Sequence, residues 1–367
     1  MTELTQKLSD LGVSLWLDDL SRALIDTGDL EKLMSERNIV GVTTNPAIFK
    51  AAIAGKSDYD RAIADAASRG LDADAIITEL TTRDVRDACD VFEPTYKASN
   101  GFDGRVSIEV DPRLAHEEDA TVEQAKSLNS LVDRENVMIK IPATDEGLPA
   151  ITRAIAEGIS VNVTLIFSLE RYRQVIDAYL SGLEKAAENG VDLSRIHSVA
   201  SFFVSRVDSE IDKRLDAIGG DALDLRGKAG LANAQAAFAE YLEYVGSDRF
   251  AALKEKGANP QRALWASTGV KNEAYPDTMY VDRLVGNPVV NTVPGKTLEA
   301  VADHARIEGP LTESDLSAAR ETLETISAAG IDLDDVFAVL EREGVEKFEA
   351  AWEDLLSAVR DAASAAQ

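Results

Sequence analysis

Short runs of alternating apolar and polar residues recur along this chain, separated by longer stretches in which apolar residues return every three or four positions. The alternating runs are SLWLDD (14–19), IVGVTTNP (39–46), VSIEVDP (106–112), VMIKIPA (137–143), VNVTLIF (161–167), SVASFFV (198–204), ALWAST (263–268) and VVNTVP (289–294). Their β-branched content predicts eight strands, each followed by helical pattern. Strand and helix in regular alternation signal a parallel sheet. Eight units favour closure into an α/β fold of the (β/α)8, or TIM barrel, type over the competing open, doubly wound sheet. The helical stretches carry their own punctuation. After the fifth strand, Ser168 can cap a helix whose apolar face is Leu169, Tyr172, Val175, Ile176, Tyr179, Leu180 and Leu183, and Asn189-Gly190 can end it. Segments 47–105 and 205–262 are longer than a crossover needs and predict additional helices. From Pro310 onward the pattern is helical without strands, with Phe348, Trp352, Leu355, Leu356 and Val359 on one stripe. The expected organisation is a barrel domain over 1–310 and C-terminal helices over 311–367 packed across it. Those helices show no function of their own, and Ala362 to Gln367 are expected to fray.

One strand breaks its own pattern. In VMIKIPA, Val137, Ile139 and Ile141 share a face, while Lys140 lies on the other with Met138 and Pro142. An ammonium held among apolar groups has its charged form penalised, and the neutral amine is a nucleophile able to attack a carbonyl and form a Schiff base. The alternative is an edge strand whose lysine reaches out to water. The other strands bear on that choice. Asp18, Thr43, Asn45, Glu109, Asn162, Thr164, Ile166 and Ser201 all fall on the parity opposite their strand's aliphatic stripe. In a barrel that parity faces inward, so Asp18, Asn45, Glu109, Asn162, Thr164 and Ser201 would converge with Lys140 near the carboxyl ends of the strands, where barrel enzymes keep their sites. Singly, each has a simpler reading: Glu109 as a paired core carboxylate, Thr164 and Ser201 as ordinary strand residues, Asp18 and Asp19 as a strand end. Five strands contributing polar groups of matching parity is harder to explain as packing, because every buried polar group requires a partner.

Composition narrows the chemistry further. Asp and Glu number 65 against 38 Lys and Arg, a formal charge of -27, which argues against nucleic acid or an anionic membrane as partner and means that an anionic substrate needs local cations. The single cysteine, Cys89, lies in the helical stripe Val85, Ala88, Cys89, Phe92, Tyr96 and reads as a small core residue. The N-terminus lacks the basic and apolar regions of a signal peptide, so a cytoplasmic protein is expected. GKS at 55–57 follows Lys50 where a phosphate loop would have glycine. His116, His197 and His304 are scattered, HEEDA at 116–120 has no second histidine, and no GxGxxG follows a strand, so no metal site or cofactor is predicted.

In these residues the chain resembles the transaldolases, in their longer actinobacterial form. The matching pieces are LWLDDLSR, GVTTNPAIF, VSIEVDPRLA, VMIKIPAT, VNVTLIF and SFFVSR, in family order through residues 12–210, extended by WASTGVKN and the last strand to about residue 300. The resemblance implies a class I aldolase-type barrel that transfers a dihydroxyacetone unit between sugar phosphates without a cofactor, as a monomer or homodimer. Lys140 would attack the C2 ketone of sedoheptulose 7-phosphate or fructose 6-phosphate. Glu109 and Thr164 would position and protonate a catalytic water, and Asp18 would exchange a proton with the C4 hydroxyl. Asn45, Asn162 and Ser201 would hold the hydroxyls of the enamine, and Arg206 the phosphate, with Lys271 as a second phosphate ligand. Asp19 follows Asp18 where other members often carry threonine; strand parity favours Asp18. Phe202 stands where proline is common and should point outward. Two rivals remain at this level: a lyase of the same lineage that releases free dihydroxyacetone, and a barrel that binds sugar phosphates without catalysis.

Overall fold

The computed structural model describes residues 2–365; of the segment expected to fray, Ala362 to Ala365 continue a helix, and Ala366 and Gln367 lie outside the described residues. Eight parallel strands, β1 (Val13–Leu17), β2 (Ile39–Val42), β3 (Arg105–Glu109), β4 (Val137–Pro142), β5 (Val161–Ile166), β6 (Ser198–Phe203), β7 (Gln261–Ala266) and β8 (Val289–Val293), close in sequence order into a barrel, with β8 pairing β1. The open sheet is excluded. Several strands stop earlier than the alternation predicts. Asn45 keeps an extended backbone (φ -159°, ψ 170°), but β2 pairing ends at Val42 and Asn45 begins the next helix.

Strand parity sorts the side chains as period 2 requires. Val13, Leu15, Leu17, Val42, Val106, Ile108, Ile139, Ile141, Val163 and Phe202 join the core between barrel and helices, while Trp16, Met138, Val199, Leu264 and Val290 fill the interior. Gly41 admits the Trp16 ring: a Cβ there would lie 2.6 Å from the indole. Below that ring, the lower end of the barrel is plugged by the buried guanidiniums of Arg105 and Arg262, the latter held by Ser14, Asp103 and the Phe102 carbonyl.

Two pairings depart from regular register: β1 with β2 shifts between Leu15 and Trp16, and β5 departs further. In β5 the pairing with β6 shifts between Val163 and Ile166, and Leu165 has φ +59°, in the left-handed region that a branched side chain rarely adopts. The extra residue swaps the two faces. Leu165 packs in the interior cluster and Ile166 in the outer one, so the expectation that Ile166 points inward is corrected.

Extra helices occupy both long segments: Pro46–Ile53, Asp60–Ser68 and Ala73–Ala98 in the first, Ser205–Ile218, Ala229–Val245 and Asp248–Lys254 in the second. Ser168 caps Leu169–Glu188 by accepting from the Arg171 N–H at 3.0 Å. Beyond residue 310, helix Glu313–Ala328 packs on Ala229–Val245. The terminal helix, Leu333–Ala365, packs against Pro46–Ile53, Asp60–Ser68, Ala73–Ala98, Ser205–Ile218 and β5. Among the described residues no helix is long and apolar enough to cross a membrane.

Candidate active site

Parallel pairing sets Glu109, Lys140 and Asn162 side by side on β3, β4 and β5. All three project inward at the carboxyl ends of their strands. Lys140 is 4 % exposed; its Nζ donates to the Thr44 carbonyl at 3.0 Å and lies 3.2 Å from Glu109 Oε2. That contact is an ion pair rather than an aligned hydrogen bond, since Oε2 has no hydrogen-bond partner among the described residues. Burial pushes the Glu109 carboxyl above its ordinary value and the neighbouring ammonium draws it back. A carboxyl so placed can exchange a proton with whatever occupies the space beside the amine. Thr164, two residues beyond Asn162, is fully buried, and its Oγ1 likewise has no partner among the described residues. Its neighbours are not in that condition: Ser201 Oγ donates to Asn162 Oδ1 at 2.7 Å, and Asn162 Nδ2 donates to Ser107 Oγ at 3.0 Å. Buried polar atoms are nearly always paired, so the unpartnered Thr164 hydroxyl, close to a Glu109 oxygen that meets only the Lys140 ammonium, marks a group held ready for a ligand.

The first strand supplies the second carboxylate. Asp18, half-buried just past β1, accepts from the Thr43 hydroxyl at 2.8 Å, and Thr43 in turn meets Thr292 Oγ1 at 2.6 Å. Asp19, next along the chain, is exposed. Asn45 is brought to the same end of the barrel but in another role from that of an inward strand residue. Its Oδ1 caps helix Pro46–Ile53 by accepting from the Ile48 N–H at 3.0 Å, which leaves its amide N–H2 for other partners. It lines a small cleft with Glu109 and Trp352.

Arg206 lies at the start of helix Ser205–Ile218, immediately after β6. The guanidinium forms no carboxylate ion pair among the described residues, and its buried Nη1 is unpartnered. It stands 5.0 Å from the Phe203 ring centre and 5.9 Å from that of Phe348. Burial lowers its pKa, while Asp18 and Glu109 oppose the shift, so all three belong to one electrostatic neighbourhood. A buried cation at a helix N-terminus without a counter-ion suits an anionic group such as phosphate. Lys271 is not gathered into this interior set. It is exposed on the loop after β7, in a cleft shared with Ser205, Ser209, Asp208, Asp212, Tyr275 and Tyr280.

Sequence reasoning missed three contributors. The Thr44 carbonyl holds the amine, and backbone acceptors leave no trace in a parity argument. Ser107 supports Asn162; it sits on the inward parity and was readable there. Phe348 comes from the terminal helix and its ring centre is 5.7 Å from Lys140 Nζ. The sequence showed no separate function for this tail; its apolar stripe signalled burial but not against what.

Comparisons with known proteins point to one family. A family model described as transaldolase/fructose-6-phosphate aldolase matches residues 15–359. A protein named transaldolase from Mycolicibacterium smegmatis is 61% identical over 361 residues, 98% of this chain and 97% of the relative. Others of that name from Saccharopolyspora erythraea and an Arthrobacter species are 59% and 58% identical, covering 97% and 100% of this chain and 96% and 99% of their own lengths.

Proposed function

This chain belongs to the transaldolase/fructose-6-phosphate aldolase family, and from that premise we propose that it transfers a dihydroxyacetone unit from sedoheptulose 7-phosphate to glyceraldehyde 3-phosphate, giving erythrose 4-phosphate and fructose 6-phosphate, through a Schiff base on Lys140. The observation that carries the reading is the buried Lys140 amine 3.2 Å from Glu109, with the unpaired hydroxyl of Thr164 nearby on the adjoining strand. Lys140 attacks the C2 ketone as the free amine, giving a carbinolamine. Glu109 and Thr164 hold a water that delivers a proton to the departing hydroxide, leaving the iminium. Asp18 then removes the proton from the C4 hydroxyl. The C3–C4 bond breaks, its electron pair flows into the iminium, the shorter aldose leaves, and an enamine stays on Lys140. Addition of the incoming aldehyde reverses these steps, with Asp18 returning the proton.

The enamine hydroxyls fall to Asn45, Asn162 and Ser201, and the phosphate to Arg206, with Lys271 reaching from the loop after β7. The iminium supplies the electron sink, so the route is written without metal or cofactor. In a cell these substrates place the reaction in the cytoplasm, in the non-oxidative pentose phosphate pathway. Transfer is favoured over release of free dihydroxyacetone because relatives near 60% identity over full length carry the transaldolase name. Borohydride reduction in the presence of fructose 6-phosphate, followed by peptide mass mapping, tests the reading. A three-carbon adduct on Lys140, absent from Lys140→Arg, is expected; an adduct on another lysine, or none, refutes it.

A further inference from the structure

The terminal helix Leu333–Ala365 reaches from helix Ser205–Ile218, beside Arg206, over β5 to helix Pro46–Ile53, beside Asn45. Three residues at successive turns, 344, 348 and 352, face the barrel. Gly344 lets the helix backbone approach β5 closely, since a Cβ there would lie 3.0 Å from Leu165 Cδ2. Phe348, 4 % exposed, puts its ring centre 5.7 Å from Lys140 Nζ and 5.9 Å from Arg206 Cζ. Trp352 borders the cleft that holds Asn45 and Glu109. The ring of Phe348 therefore adjoins both the amine that would hold the sugar and the guanidinium that would hold its phosphate. It offers neither proton nor acceptor to either.

We propose that Phe348 is a positioning residue for the transfer step: its ring keeps water from the three-carbon enamine on Lys140 during the interval between departure of one aldehyde and arrival of the next. The inference rests on the Schiff-base reading given above. The enamine has two fates. Its nucleophilic carbon adds to an aldehyde carbonyl, forming the new C–C bond, and hydrolysis of the resulting iminium frees the ketose phosphate. Alternatively that carbon takes a proton from water, the iminium adds the remaining hydroxide, and the C–N bond of the carbinolamine breaks to give dihydroxyacetone and the Lys140 amine. The second route consumes one water and involves no change of oxidation state. An apolar ring beside the amine opposes that protonation while the enamine waits for an aldehyde.

The test uses full-length Phe348→Ala and Phe348→Leu with fructose 6-phosphate and erythrose 4-phosphate, reading free dihydroxyacetone released per sedoheptulose 7-phosphate formed. That ratio is expected to rise by about tenfold or more in Phe348→Ala and by less in Phe348→Leu, because water exclusion depends on the volume filled. Leu355→Ala, on the same helix but packed in the outer core, controls for loss of stability and should keep the ratio of the unaltered protein. An unchanged ratio in Phe348→Ala, or an equal rise in Leu355→Ala, overturns the proposal. Borohydride trapping separates the two levels: an adduct on Lys140 in the unaltered protein with an unchanged ratio in the variants sinks this inference alone, whereas no adduct in the unaltered protein sinks it together with the reading beneath it.

Discussion

Replacing Thr164 by valine exchanges one hydroxyl for a methyl of nearly the same shape and should move stability and activity in opposite directions. Thr164 is fully buried, and its Oγ1 bonds to no described residue. The substitution therefore breaks no protein hydrogen bond and removes a polar group whose burial without a partner costs about 1–3 kcal/mol. Stability should stay level or rise by up to about 1 kcal/mol. With an unfolding entropy near 2.1 cal/mol/K per residue, 1 kcal/mol in a chain of 367 residues is a Tm shift of only about 1.3 °C, so a urea midpoint is the better assay. Transfer, in contrast, loses the group that in the proposed mechanism positions the catalytic water. Such groups contribute about 10²–10⁴ in rate, or about 2.7–5.4 kcal/mol of barrier. Ser201→Ala is the matched comparison. It breaks the 2.7 Å bond to Asn162 Oδ1 and strands that oxygen, so it should cost about 1–3 kcal/mol of stability. If Thr164→Val destabilises by more than about 1 kcal/mol while keeping transfer within about tenfold, its hydroxyl is structural and the reasoning fails.

Arg206→Gln should raise KM for phosphorylated ketoses by about 10- to 100-fold, the worth of a charge-assisted hydrogen bond, while leaving trapping of unphosphorylated dihydroxyacetone on Lys140 unchanged; equal losses with both substrates would contradict a phosphate role. Asp84, 1 % exposed, receives Arg22 Nε at 2.9 Å, Arg22 Nη2 at 2.7 Å and the Tyr59 hydroxyl at 2.7 Å. Asp84→Ala should cost about 3–5 kcal/mol in denaturant unfolding and leave kcat of the folded fraction intact. At the barrel's lower end, burial, reinforced by Arg105 and Arg262, pushes the His197 imidazole down to about 3. That lies below the unfolded value near 6.5, so the stability it secures is complete above about pH 6.5 and drains away as pH falls toward 3, amounting to about 2 kcal/mol by pH 5. His197→Gln should flatten the unfolding profile between pH 7.5 and 5 by that amount; parallel profiles would count against it.

The barrel was legible because its strands alternate, and the row Glu109, Lys140, Asn162 because parallel neighbours in a barrel share parity. Asp18 was separable from Asp19 for the same reason. Where the chain leaves that period, parity misleads. Leu165 and Ile166 exchange faces because one residue takes a positive φ, a local event that no pattern of apolar residues encodes. Asn45 lies beyond the last paired residue of β2 and is claimed by the helix that follows. The Thr44 carbonyl and the Phe348 ring were hidden for different reasons. Backbone groups are the same at every position, and a helix stripe reports that a face is covered without naming its neighbour, here more than 200 positions upstream.

That separation along the chain governs how the enzyme is assembled. All eight strands are complete by Val293, yet the aromatic roof over Lys140 arrives only with Phe348, after every strand has been made. The roof is fastened by side-chain packing and not by strand pairing, so it can come away in a partial unfolding that leaves the cylinder intact. Lys140 is thus sheltered only after the cylinder around it has been made, and it can be bared without loss of that cylinder.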